Sequence, residues 1–123
     1  MARDAINRGE IWLADTGKCK RAFEFGKKRP VIVIQSDKLN ILAENGYYDH
    51  ILVIPITKVR FEILEEFRPY LPPREKLLTG GYAACNALCF LRLEFFTQKL
   101  AEASEIEMEQ IETSIKEILN LKG

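Results

Sequence analysis

The chain has 123 residues, 47% of them hydrophobic and 29% charged, and its 18 basic side chains balance 18 acidic ones. That length fits one domain, residues 1–123, with a real core and no room for a second. Zero net charge excludes a whole-molecule field as the source of attraction for a polyanion, so any such attraction must come from local clustering.

The opening residues, MARDAINRGE, mix charges of both signs, and nowhere do about 18 apolar residues run together. The chain therefore reads as cytoplasmic, with no membrane partner. Three cysteines, Cys19, Cys85 and Cys89, form no Cys-x-x-Cys pair, and His50 has no second imidazole to join it. No metal or cofactor is called for, and the thiols read as small buried hydrophobes. Should Cys85 and Cys89 lie on one strand, their spacing of four puts them on one face.

In chain order, RGEIWLAD predicts a first strand over about residues 10–15, with Ile11 and Leu13 on one face and Trp12 on the other. TGKCKRAFEFGKK follows, rich in Gly and Lys and without either period, and reads as a long connection of the kind that usually carries function. PVIVIQS is a short, β-branched apolar run, hence a central strand covered on both faces, with Pro30 suited to its first position. DKLNILAENGYYDH reads as one helical turn ending at the Asn45-Gly46 turn. ILVIPIT is a further strand, and Pro55 predicts an edge or a bulge at its far end.

Residues 58–81 are the least legible segment; RPYLPPREKLLTGG suggests a hairpin arm whose tip is the Gly80-Gly81 pair. YAACNALCFLRLEFF alternates loosely and is aromatic enough for one or two strands; its Ala and Asn residues leave a helix open, and the Gly pair before it favours strand. At the C-terminus, Ser104 and Glu107 form a capping box, and Met108, Ile111, Ile115, Ile118 and Leu119 fall on one helical face. These signals predict a closing helix of about 15 residues. Strands this short bury both faces only by curling, so the fold class is mainly β with a C-terminal α-helix, a small antiparallel barrel.

Antiparallel pairing of the two apolar strands would bring Arg29, at the start of one, beside Thr57, at the end of the other. With Glu24, Lys27 and Lys28 in the preceding loop, this gathers a carboxylate, a hydroxyl and a forked cation. RNA cleavage by phosphoryl transfer needs a base for the ribose hydroxyl, a donor for the leaving oxygen and fixed positive charge for the phosphorane. Arginine suits the last task because its donors fork to two phosphate oxygens. Composition leaves a second reading open: a solvated loop, a snorkelling Arg29 and an ordinary strand-end threonine. Phe23 and Phe25 beside the cations favour stacking with single-stranded bases.

Three motifs in order, with the capped helix behind them, resemble the MazF/PemK (Kid) family of toxins from toxin–antitoxin modules. They are Arg8 to Trp12 of the first strand; Glu24, Gly26, Arg29, Pro30 and Val31 at the end of the loop; and Pro55, Ile56 and Thr57. The resemblance implies an SH3-like barrel of the CcdB/Kid/MazF-like type, assembled as a homodimer. It also implies a metal-independent endoribonuclease that cuts single-stranded RNA, chiefly mRNA, to leave a 2′,3′-cyclic phosphate. By that likeness Arg29 is the acid or phosphorane stabiliser, Thr57 holds a phosphate oxygen, and Glu24 is the base used by some members. Lys27 and Lys28 are implied phosphate contacts, and Ser36 stands where many members carry a polar residue near RNA. A cognate antitoxin is the implied protein partner, blocking the groove with a segment that folds on binding. The chain departs from the family at LCFLRLEFF, where members carry an acid and a glutamine before the final strand; Arg92 is the near match. Two alternatives stand beside this reading: a non-catalytic toxin of the same fold that binds DNA gyrase, and a plain RNA-binding barrel.

Overall fold

The computed structural model describes residues 5–17 and 28–122. Seven strands form one antiparallel sheet: β1 (Glu10–Asp15), β2 (Lys28–Val33), β3 (His50–Thr57), β4 (Tyr70–Leu71), β5 (Gly81–Ala83), β6 (Cys89–Arg92) and β7 (Phe96–Glu102). The path runs β4-β5-β3-β2-β1-β7, and β6 also pairs with β3. Its two ends do not pair with each other, so the expected barrel is realised as a half-barrel. The connection between β4 and β5 bridges the opening, since the Lys76 N–H donates to Leu100 O of β7 at 2.9 Å.

Strict alternation along β1, β2 and β3 sends side chains to two separate cores. Ile11, Ile32, Ile54 and Ile56 point to one face, where Met108 and Ile111 of α2 (Glu105–Leu119) cover them. Trp12, Val31, Val33 and Val53 point to the other, beneath Ala43 of α1 (Asp37–Glu44), with Leu91 and Phe96. Coverage of both faces is why these strands are nearly continuous apolar runs.

Local signals set several boundaries. Strand β1 occupies the span its alternation predicts, and α2 is 15 residues long behind the predicted capping box, with Ser104 Oγ accepting from Glu107 N at 3.1 Å and Glu107 Oε1 from Ser104 N at 2.8 Å. Helix α1 has eight residues where a single turn was expected. A buried amide lattice holds it: Gln35 Nε2 donates to Asn40 Oδ1 at 3.0 Å, Asn40 Nδ2 to Gln35 O at 3.1 Å, and Gln35 Oε1 accepts from Leu52 N at 3.2 Å. Such partners come from the segment after β2 and from β3, so local propensity did not announce them.

Other expectations need correction. Pro55 lies inside a central strand, because β6 pairs with residues 50–53 of β3 and β5 with Ile56 and Thr57. It falls in the gap between those two partners, where no ladder donor is required. Pro30 is the third residue of β2, not the first. Cys85 and Cys89 do not share a face: Cys85 sits in a 3-10 turn over residues 85–87 and packs in the core under α2, whereas Cys89 opens β6 against the opposite core. Burial pushes the Cys85 thiol up to about 11, despite a hydrogen bond with Ser114, which leaves it unreactive. Cys19 lies outside the described residues.

The segment predicted as a hairpin arm begins with a 3-10 helix over Glu62–Phe67 before the β4–β5 hairpin. Its tip is the turn in which Arg74 N donates to Leu77 O at 3.0 Å and Leu77 N to Arg74 O at 2.8 Å. The glycine pair instead serves close approach. A Cβ on Gly80 (φ +64°) would meet Leu71 O at 2.5 Å, and one on Gly81 would meet Thr57 O at 2.9 Å.

Arg74 fixes this arm to the helix. Its guanidinium takes both carboxylate oxygens of Glu107, and its Nη1 also donates to Glu102 O at 3.2 Å. The Arg74 hydrogen bonds hold the Glu107 carboxyl below its ordinary value of 4.5 in spite of burial. A depressed carboxylate pKa stabilises the fold above the unfolded value, and that contribution is lost as pH falls through the folded one. Glu107→Gln is therefore expected to cost about 1–3 kcal/mol at pH 7. The difference from wild type should shrink at acid pH, as the Glu107 carboxyl is protonated through its lowered folded value and becomes neutral like glutamine. Urea unfolding at neutral and at acid pH checks this, and an equal deficit at both would refute the charge argument.

Candidate functional site

The site forms where β2 and β3 meet. Their ladder pairs Val31 with Pro55, and the same register carried two residues further sets Arg29 opposite Thr57. Arg29 Nη1 donates to Ile56 O at 3.3 Å, so the guanidinium leans across the end of β3. Burial lowers the Arg29 pKa, yet an arginine remains a cation throughout the working pH range. Thr57 is buried, and its Oγ1 accepts from Val59 N at 3.2 Å, which turns the chain out of the strand. On its other side Thr57 pairs with Tyr82 of β5, next to the close approach of Gly81. Both groups are thus mounted on strand ends packed from two sides, the kind of support that fixes a functional side chain.

Above them lies a cleft of about 530 Å³. Lys28 and Arg29 line it from β2, Thr57 from the end of β3 with Lys58 just past it, and residues 76–80 of the β4–β5 connection from across the opening. Leu13, Leu77 and Leu100 supply the apolar part of its wall. Four cations and no carboxylate line it among the described residues, in a chain whose total charge is zero.

Of the residues singled out in the sequence, Arg29, Thr57 and Lys28 come together here. Glu24 and Lys27 lie outside the described residues. Ser36 sits apart, beyond the opposite end of β2, where it caps α1 and its Oγ accepts from Leu39 N at 3.5 Å. Arg92 pairs with His50 at the start of β3 and bonds Glu94 at 2.9 Å, so the departure from the family motif falls at the far end of that strand. Sequence reasoning missed Lys76 and Thr79. Nothing local marks them, because their position over the cleft depends on the Arg74 clamp and on the Lys76–Leu100 backbone bond.

The remaining first-strand motif is structural. Glu10 is buried and accepts from Asn7 N at 2.8 Å and Trp12 Nε1 at 3.0 Å, with Lys99 Nζ at 3.2 Å. Desolvation would raise its pKa, but these donors together bring it below the ordinary value. Arg8 donates from Nε to Ile34 O at 3.0 Å and from Nη2 to Glu112 at 2.9 Å, joining the entry of β1 to α2.

A half-barrel with two cores and a capped C-terminal helix is the fold of the MazF toxins. MazF from Deinococcus radiodurans superposes with a TM-score of 0.75 at 18% identity, over 97% of this chain and 100% of that one. An endoribonuclease in complex with its cognate antitoxin, from a mycobacterial species, gives 0.72 at 19% identity, over 97% and 99%. The Mycobacterium tuberculosis toxin MazF-mt6 gives 0.71 at 12% identity, over 93% and 99%. Residues 7–119 match the family described as the PemK-like, MazF-like toxin of type II toxin-antitoxin systems. The chain belongs to that family.

Proposed function

We propose that this toxin is an endoribonuclease that cleaves single-stranded RNA at the Arg29–Thr57 cleft. The observation that carries the reading is the convergence of a forked cation and a buried hydroxyl at a cleft whose described lining holds no acid. The name of the mycobacterial relative supports the activity. In the reaction, the ribose 2′-hydroxyl loses its proton and attacks phosphorus, the bond to the 5′-oxygen breaks, and a 2′,3′-cyclic phosphate remains. Glu24 takes the proton, Arg29 bridges two phosphorane oxygens and protonates or stabilises the departing 5′-oxygen, and Thr57 holds a non-bridging oxygen. Lys27 and Lys28 hold neighbouring phosphates. No metal is required, because the guanidinium supplies the charge. Relatives crystallised with antitoxins support a cognate antitoxin as the physiological inhibitor; a homodimer as the active form is what the family resemblance implies.

The test is incubation of the purified protein with a long single-stranded RNA in EDTA, with the ends mapped. Cuts at a recurrent short sequence, with cyclic phosphate ends, are expected. Thr57→Ala should slow them by about 10-fold or more, the loss of one transition-state hydrogen bond. RNA bound and left intact would favour a plain RNA-binding barrel, no binding would favour a non-catalytic toxin, and loss of cutting in EDTA alone would refute the mechanism.

A further inference from the structure

We propose that Lys76, on the β4–β5 connection, grips a phosphate next to the one being cleaved. The proposal rests on the endoribonuclease reading and assigns a role to a segment in which the sequence marks no function. Lys28 and Arg29 line the cleft on the β2 side, and Lys76 lines it from the facing connection, with Lys58 between them just past the end of β3. Among the described residues, none of the three lysines has a carboxylate partner. In a chain with as many acids as bases, three lysines around one cleft with no carboxylate partner among the described residues make a local cationic cluster suited to phosphates.

The mount suits the task. Lys76 occupies a four-residue turn closed by two backbone hydrogen bonds between Arg74 and Leu77, and its own N–H is tied to β7 at 2.9 Å. Arg74 anchors the same turn to α2 through Glu107. The Lys76 backbone is thereby fixed while its residue remains exposed, so the ammonium reaches the cleft from a rigid base. Leu78, two residues on, is 80% exposed and offers apolar surface beside the cations, which an unstacked base of a single strand can cover. Lys76 is then a positioning residue: it holds the strand and does not touch the reacting atoms.

The test uses a cut site mapped with the wild-type protein, made as an RNA carrying a 2′-O-methyl group at the scissile nucleotide so that it binds without being cut. Affinity for this probe is measured over a series of salt concentrations for the wild type and Lys76→Gln. Losing one phosphate contact should lower the slope of log K against log salt by about 0.7. Cleavage of unmodified RNA should show KM raised about 3- to 10-fold at low salt, with kcat nearly unchanged, and Lys76→Arg should restore both. Because the substitution keeps the backbone N–H and alters an exposed side chain, the fold is preserved, and a thermal melt equal to wild type verifies it. A wild type that cuts RNA beside a Lys76→Gln variant with the same slope and KM would overturn this inference alone. A fall in kcat as large as the change in KM would also overturn it, by placing Lys76 in the chemistry. A wild type that neither binds nor cuts RNA would overturn the endoribonuclease reading, and this inference with it.

Discussion

Arg29→Lys is expected to lower the single-turnover rate of RNA cleavage by about 10²- to 10³-fold while changing affinity for an uncleavable RNA by only a few fold. The two effects separate because the substitution keeps the charge and removes the fork. A lysine ammonium is a point charge on a flexible stem, whereas a guanidinium offers two parallel N–H groups to two phosphate oxygens at once. In this protein the fork is also held in place, since Nη1 donates to Ile56 O and the strand beneath it is packed on both faces. Lysine cannot reproduce that bond and contact phosphate in the same pose. Quench-flow rates beside equilibrium binding measure the split. A lysine variant that cleaves within about threefold of wild type would show that charge alone suffices.

Trp12→Ala is expected to cost about 3–5 kcal/mol of folding stability, enough to unfold a large share of a marginal domain. Trp12 is 1% exposed and meets the Phe96 ring edge to face at 6.2 Å, so truncation leaves a void that neighbouring strands cannot close. It also removes the indole N–H from Glu10, one of the donors that keep that buried carboxylate charged. Trp12→Phe separates the two terms. It keeps most of the apolar volume and leaves the carboxylate short of one donor, at a cost of about 1–3 kcal/mol. Urea denaturation followed by circular dichroism is the measurement, because Trp12 is the single tryptophan and its own fluorescence is lost with it. Phenylalanine as costly as alanine would show that the hydrogen bond, not packing, dominates.

Trp12 and Arg29 are both conspicuous in the sequence itself, and the reason is physical. Trp12 stands in a strict alternation, and Arg29 stands at the abrupt junction of a cationic loop and a β-branched run. The span of β1 and the capped helix α2 are legible because their signals are local: a period of two, a capping box, and apolar residues at helical spacing. The pairing of Arg29 with Thr57 follows from two facts of sequence, the polarity of an antiparallel pair and the position of each residue at a strand end.

Elsewhere the local signal is sound and a distant partner changes its meaning. Pro55 does break a ladder, yet the break coincides with the handover from β6 to β5, so the strand stays central. Cys85 and Cys89 are four residues apart, but a 3-10 turn between them replaces the period of two, and they enter different cores. Asn40 and Gln35 lengthen α1 through bonds to each other and to β3.

The sequence alone determined the two-faced strands, the closing helix and the cation at the strand mouth, because each depends on residues that are neighbours in the chain. The tertiary structure decided where the half-barrel stays open and which segment faces Arg29 across the cleft. That segment is held by one guanidinium on Glu107 and one backbone bond to Leu100, contacts 33 and 24 residues away in sequence. No local pattern encodes such a meeting, since it exists only once the sheet has curled.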